Sequence, residues 1–109
     1  MSEKRQFERA QFDGEVQVTV AGGEQFSALV RDLSVGGTYI LSEHKPAFGT
    51  EVTLSMRLPA LAERGKGAGT LGGVVRWTRD DGFGVQFGPT GALETWALAD
   101  YVARKNHGI

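Results

Sequence analysis

DGEVQVTVAGGEQFSALVRD, residues 13–32, reads as a β-hairpin. Val16, Val18 and Val20 alternate with Gln17 and Thr19, the period of two that buries one face of a strand. Gly22-Gly23 is a turn signal, and residues 26–32 return as the second strand. The same grammar continues downstream. Ser34-Val35-Gly36-Gly37 interrupts the run, and residues 38–41 form a short β-rich stretch bounded by turn residues. Residues 46–50 read as loop. Val52, Leu54 and Met56 then alternate with Thr53, Ser55 and Arg57 to give another strand. Residues 60–69 mix small and charged side chains with three glycines and predict a mobile loop. Residues 70–78 are apolar and β-branched. Asp81-Gly82 is a two-residue hairpin signal, after which Phe83, Val85 and Phe87 alternate with Gly84, Gln86 and Gly88. Glycine in such a strand permits close approach of backbone or bulky side chains.

The C-terminal stretch has a different period. Leu93, Ala97 and Tyr101 recur at four-residue steps, flanked by Trp96, Leu98 and Val102. That pattern predicts an amphipathic helix with Trp96 in the core. Glu94 in its first turn and Arg104 and Lys105 in its last suit the helix dipole, and Gly108 follows as a stop. Before residue 13 the chain reads as a polar lead-in. The expected organisation is therefore a lead-in over residues 1–12, a β unit over 13–88 and a helix over 89–105. Six short strands with close turn signals indicate a mainly all-β barrel or sandwich whose open end or edge the helix covers. Closure hides strand edges that would otherwise pair with other chains.

Composition narrows the function classes. The chain has 109 residues, enough for one domain with a modest core. Sixteen glycines, about twice average usage, fit many tight turns. There is no cysteine, so neither disulfides nor thiolate metal sites arise. No apolar run approaches the roughly 20 residues of a membrane span, and residues 1–12 lack the apolar centre of a signal peptide. A cytoplasmic protein without membrane insertion is the expectation. A net charge of −1 does not suit a nucleic-acid polymer. Positive charge is local, at Lys4, Arg5 and Arg9, and suits a small anion.

Two motifs carry the chemistry. In Arg5-Gln6-Phe7-Glu8-Arg9 the spacing puts both guanidiniums on one side of a helical turn or of an extended strand. Each planar fork grips a phosphate, or the O6 and N7 of guanine, with paired hydrogen bonds. In Asp32-Leu33-Ser34-Val35-Gly36-Gly37, Asp32 and Ser34 share a strand face. A carboxylate accepts from guanine N1–H and N2–H₂, and a hydroxyl bonds phosphate or the turn backbone. Gly36-Gly37 admits positive φ and close backbone approach. Taken singly, the first motif reads as a solvated charged segment and the second as a turn that closes two strands.

Together, in this order and in a β-rich chain with a terminal helix, they resemble the PilZ domain family. Its signature is R-x-x-x-R followed by [D/N]-x-S-x-x-G, matched by Arg5 and Arg9, then Asp32, Ser34 and Gly37. The Val74-Val75-Arg76-Trp77 stretch and residues 82–87 are also similar to the family, so the resemblance covers essentially the whole chain. It implies a six-stranded antiparallel β-barrel with a trailing α-helix, acting as a bacterial receptor for the second messenger cyclic di-GMP. The N-terminal arginine segment folds over the ligand in similar proteins. Arg5 and Arg9 then hold phosphate and the Hoogsteen edge of guanine, Asp32 takes the Watson–Crick edge, Ser34 contacts phosphate or base, and Gly37 gives room. Lys4 occupies a position where a basic residue is associated with an intercalated ligand dimer. Gly36 and Trp77 are secondary contacts, Trp77 either as an aromatic wall beside a base or as rim packing. Arg31, Arg76 and Arg79 add positive field or are plain strand charges.

The expected mechanism is a disorder-to-order switch. Ligand neutralises a mobile arginine segment, and the new surface engages an effector protein in trans, since the chain shows no second domain. Cyclic di-GMP is thus a ligand, and no cofactor or metal is implied: His44 and His107 match no metal spacing. The alternative is a PilZ-fold interaction module that binds no nucleotide. A single-strand nucleic-acid barrel lacks basic and aromatic residues interleaved on its strands. An enzyme lacks a nucleophile–base pair or a catalytic carboxylate pair.

Overall fold

Alternation of Val16, Val18, Leu54 and Met56 builds strands whose inner faces meet. In the computed structural model, which describes residues 9–107, six strands close on themselves. They are β1 (Arg9–Val20), β2 (Gln25–Ser34), β3 (Gly37–Leu41), β4 (Glu51–Met56), β5 (Gly69–Arg79) and β6 (Gly82–Phe87). The helices are α1 (Pro59–Glu63) and α2 (Ala92–His107). Around the closed barrel the order is β1-β2-β3-β6-β5-β4, with every neighbouring pair antiparallel. Val18, Leu33, Ile40, Leu54, Val75, Phe83 and Val85 fill the interior without exposed surface. No helix among the described residues is long and apolar enough to cross a membrane.

Helix α2 caps one end with Ala97, Leu98, Tyr101 and Val102. Tyr101 packs edge-on against Phe12, ring centroids 5.0 Å apart, and its hydroxyl donates to the Gln11 carbonyl at 2.7 Å. The helix thereby holds the start of β1. Arg104 adds a two-pronged bridge to Glu63 of α1, at 2.9 and 3.0 Å, and contacts Asp100 at 2.8 Å.

Several local expectations need correction. Residues 60–69 are not all loop. Pro59 starts a short helix whose Ala60 and Leu61 are buried, because apolar closure of the barrel outweighs the nearby glycines. Residues 9–12, assigned to the lead-in, belong to β1: Arg9 pairs with Ser34, Ala10 with Leu33 and Gln11 with Asp32. Ala10 and Phe12 are buried there, so the strand's apolar phase starts earlier than Val16. Trp96 is 45% exposed, not core. The stripe of Ala97, Leu98, Tyr101 and Val102 already faces the barrel, which leaves Trp96 on the flank beneath the Arg64 guanidinium.

The β5–β6 turn is Asp80-Asp81, not Asp81-Gly82, since Arg79 pairs with Gly82. Gly82 is required for another reason. A Cβ there would lie 1.9 Å from the Ile40 carbonyl oxygen on β3. The clash is with backbone, so no rotamer relieves it. Gly82→Ala is expected to cost about 1–3 kcal/mol in urea unfolding. Gly67→Ala, with nothing within 4 Å, should stay within about 0.5 kcal/mol of the parent. Tyr101→Phe keeps the ring and loses the Gln11 bond; the same assay should read about 0.5–1.5 kcal/mol.

Candidate functional site

The wall formed by β1, β2, β3, β6 and β5 carries the predicted turn, and irregular pairing shapes it. Register shifts fall between Gln11 and Gly14, between Val30 and Asp32, and between Val75 and Trp77. Each is a β-bulge or comparable irregularity, a device that re-aims side chains. In β2 the consequence is visible in burial. Val30 and Leu33 are both buried although three residues apart. A regular strand buries every second residue. The extra residue is Arg31, so Arg31 and Asp32, neighbours in sequence, share the outer face. In β5 the extra residue is Arg76, followed by half-buried Trp77.

Across this wall one row of partners runs Gln11, Asp32, Tyr39, Gly84, Trp77. The next begins with Arg9 opposite Ser34 and continues beyond the turn with Gly37 opposite Gln86. Gly84 gives its space to Trp77: a Cβ there would lie 2.0 Å from the indole Cε2. The indole therefore lies over the β6 backbone, in the row that contains Asp32. Arg76 donates from Nε to Gln86 Oε1 at 2.8 Å, which ties the β5 bulge to the neighbouring row.

The turn residues behave differently from their expected roles. Ser34 is 3% exposed. Its hydroxyl accepts from the N–H groups of Gly36 and Gly37, both at 3.1 Å, and donates to the Gly37 carbonyl at 3.2 Å. Thr38 Oγ1 donates to the Asp32 carbonyl at 2.6 Å. Ser34 and Thr38 thus stitch the β2–β3 turn from within. Gly37 does not use the left-handed region, and the room it leaves is taken by β6: a Cβ would lie 2.4 Å from the Val85 carbonyl oxygen. Both residues shape the corner that carries Asp32.

A cluster that sequence reasoning missed adjoins Asp32. Tyr39 donates its hydroxyl to Asp81 Oδ1 at 2.5 Å. The Arg31 guanidinium lies 4.1 Å from the Tyr39 ring centroid, and its Nη1 is 3.7 Å from Asp81 Oδ2. Arg31 Nε is 3.6 Å from Asp32 Oδ2. Burial, helped by the bond to Asp81, pushes the Tyr39 hydroxyl up to about 12. The same bond holds the Asp81 carboxyl below its ordinary range. The sequence contains one clue to this arrangement: apolar Val30 and Leu33 at a spacing of three within a strand.

Arg9 stands at the first position of β1, opposite Ser34. Lys4 and Arg5 lie outside the described residues. Among the described residues no group of three or more His, Cys, Asp or Glu could hold a metal ion.

Comparison with known proteins follows the architecture. A sequence model of the PilZ domain matches residues 3–104. The PilZ domain of Escherichia coli YcgR with c-di-GMP superposes at a TM-score of 0.74 and 12% identity, covering 97% of this chain and 94% of that one. Bacillus subtilis MotI/DgrA, an inhibitor of motility, gives 0.74 at 20% identity over 98% of this chain and 53% of its own. The K. pneumonia MrkH–c-di-GMP complex gives 0.68 at 17% identity, over 95% of this chain and 53% of its own. The chain thus spans about half the length of MotI/DgrA and of MrkH. No curated protein sequence matches. With the family model matching residues 3–104, on a closed six-stranded barrel with a trailing helix, the chain belongs to the PilZ domain family.

Proposed function

We propose that this chain is a receptor domain for cyclic di-GMP, bound on the outer wall around Asp32. One observation carries the reading: β1 pairs with β2 so that Arg9 stands opposite Ser34 and Gln11 opposite Asp32. The arginine motif therefore ends in the strand beside the Asp-x-Ser corner.

The roles follow from donor and acceptor chemistry. Arg5 and Arg9 supply guanidinium forks for the phosphates and for guanine O6 and N7. Asp32 accepts from N1–H and N2–H₂ of guanine. Ser34, Gly36 and Gly37 hold the corner in shape, Ser34 through its bonds to both glycine N–H groups. Trp77, laid over Gly84 in the same row, offers an aromatic surface to a base. Lys4 adds charge for a second, intercalated ligand. Binding neutralises the arginines and orders the segment ahead of Arg9 across the wall, and the composite surface then engages an effector protein. The domain is an adaptor and not an enzyme, and its site of action is the cytoplasm. The titration of this protein that tests the reading also separates it from a PilZ-fold module that binds protein alone.

Calorimetric titration with cyclic di-GMP should give saturable heat and a rise in melting temperature. Hydrogen bonds to charged groups contribute about 1.5–3 kcal/mol each, so Arg9→Ala and Asp32→Ala should each weaken binding about tenfold or more. Higher salt should weaken it further. Silence in both assays at high ligand concentration would overturn the reading. Ser34→Ala has a distinct signature. It should lower the melting temperature without ligand as well as the affinity, because the hydroxyl serves the turn.

A further inference from the structure

Asp32 has a neighbour whose placement is over-determined for a plain surface charge. Arg31 shares its face only because β2 carries one extra residue there. Its guanidinium is then held three ways: stacked on the Tyr39 ring at 4.1 Å, beside Asp81 at 3.7 Å, and beside Asp32 at 3.6 Å. Tyr39 is 1% exposed and is itself bonded to Asp81, which closes a cycle of three side chains from β2, β3 and the β5–β6 turn. The contact with Asp32 leads out of that cycle toward the proposed base. At 3.6 Å it exceeds a hydrogen-bond length, so it acts on the carboxylate through charge and shape.

We infer that Arg31, fixed by Tyr39 and Asp81, is a positioning residue that orients the Asp32 carboxylate and thereby sets the preference for guanine over adenine. The inference rests on the proposed binding of cyclic di-GMP. Guanine offers two parallel donors, N1–H and N2–H₂, which a carboxylate accepts together only when it lies in the plane of the base. Adenine presents an acceptor at N1 and a donor at N6, so an aligned carboxylate faces a repulsive lone pair. A carboxylate turned out of that plane loses the first advantage and softens the second penalty. Selectivity depends on such unpaired or repulsive contacts as much as on attractive ones. Arg31 supplies the alignment, and Lys cannot replace it, because an ammonium neither stacks flat nor presents a planar edge.

The test is titration of the full chain with cyclic di-GMP and with cyclic di-AMP. The variants are Tyr39→Phe, Asp81→Asn, the double variant and Arg31→Lys. Asp81 is 58% exposed at a turn, so Asp81→Asn gives a folded protein even where a change at buried Tyr39 disturbs the barrel. Each single variant is expected to weaken cyclic di-GMP about 3–10-fold and to narrow its advantage over cyclic di-AMP by a similar factor. Asp81→Asn removes the charge beside Arg31 and Tyr39→Phe the hydroxyl that holds Asp81, so in the double variant the two losses should combine less than additively. Equal loss for both ligands, or no loss, overturns the inference and leaves the receptor reading standing. A parent chain that binds neither ligand overturns the receptor reading itself.

Discussion

One surplus residue in β2 governs the outer wall. Val30 and Leu33 both reach the core, and Arg31 with Asp32 fills the interval between them. A regular strand would send one of these two inward, where an unpaired charge is prohibitively costly. The bulge instead places a guanidinium and a carboxylate side by side on the outer face. It also sets the phase of Ser34, which falls back under the turn and is buried. Ser34 stands two residues on from Asp32 on the same face and is buried beneath its own turn. The two residues of the motif therefore differ in exposure, Ser34 at 3% and the Asp32 side chain at 21%.

Close backbone approach is the second constraint, and glycine meets it three times along β3 and β6. Gly37 faces the Val85 carbonyl, Gly82 the Ile40 carbonyl, and Gly84 the Trp77 ring. The first two let the strands meet at the ends of their ladder. The third makes an indole part of the wall's surface. These glycines do not need unusual φ, in contrast to Gly22 and Gly23 in the β1–β2 turn, both at 108°.

Strand content and the closing helix were legible because burial enforces period. Val16 and Val18, Val52 to Met56, and Phe83 to Phe87 keep a strict alternation, and Ala97, Leu98, Tyr101 and Val102 keep a helical stripe. Legibility failed where tertiary contact overrode a local cue. Asp81-Gly82 imitates a hairpin turn, yet Gly82 answers to β3. The glycines after Ala60 imitate a loop, yet Leu61 answers to the core. Of the site, the position of Asp32 and the turn at Ser34 could be read from the motif. Tyr39 and Asp81 could not, because they meet across 42 residues of sequence. The sequence leaves Arg31 between added positive field and plain strand charge, since its placement beside Asp32 depends on a bulge that the spacing of Val30 and Leu33 betrays.

Charge on the wall separates two tasks under the proposed reading. Asp32 and Asp81 both lie beside the Arg31 guanidinium, and Arg79 adds a second positive charge near Tyr39 and Asp81. Among these groups the two carboxylates balance the two guanidiniums, so they add no net attraction for a doubly anionic ligand. Attraction must come from the basic N-terminal motif, whose Arg9 stands at the edge of the wall. Forks that bond phosphate confer affinity but respond to any cyclic dinucleotide, because the phosphates are common to all of them. The Watson–Crick edge of the base is read by rigid groups on the barrel, where orientation is held by packing, while a fork on O6 and N7 reads the other edge. The chain places its strongest charges on the segment leading into β1 and its fixed carboxylate on a bulged strand. That division lets the N-terminal motif gather the ligand while the barrel fixes the plane in which its Watson–Crick edge is read.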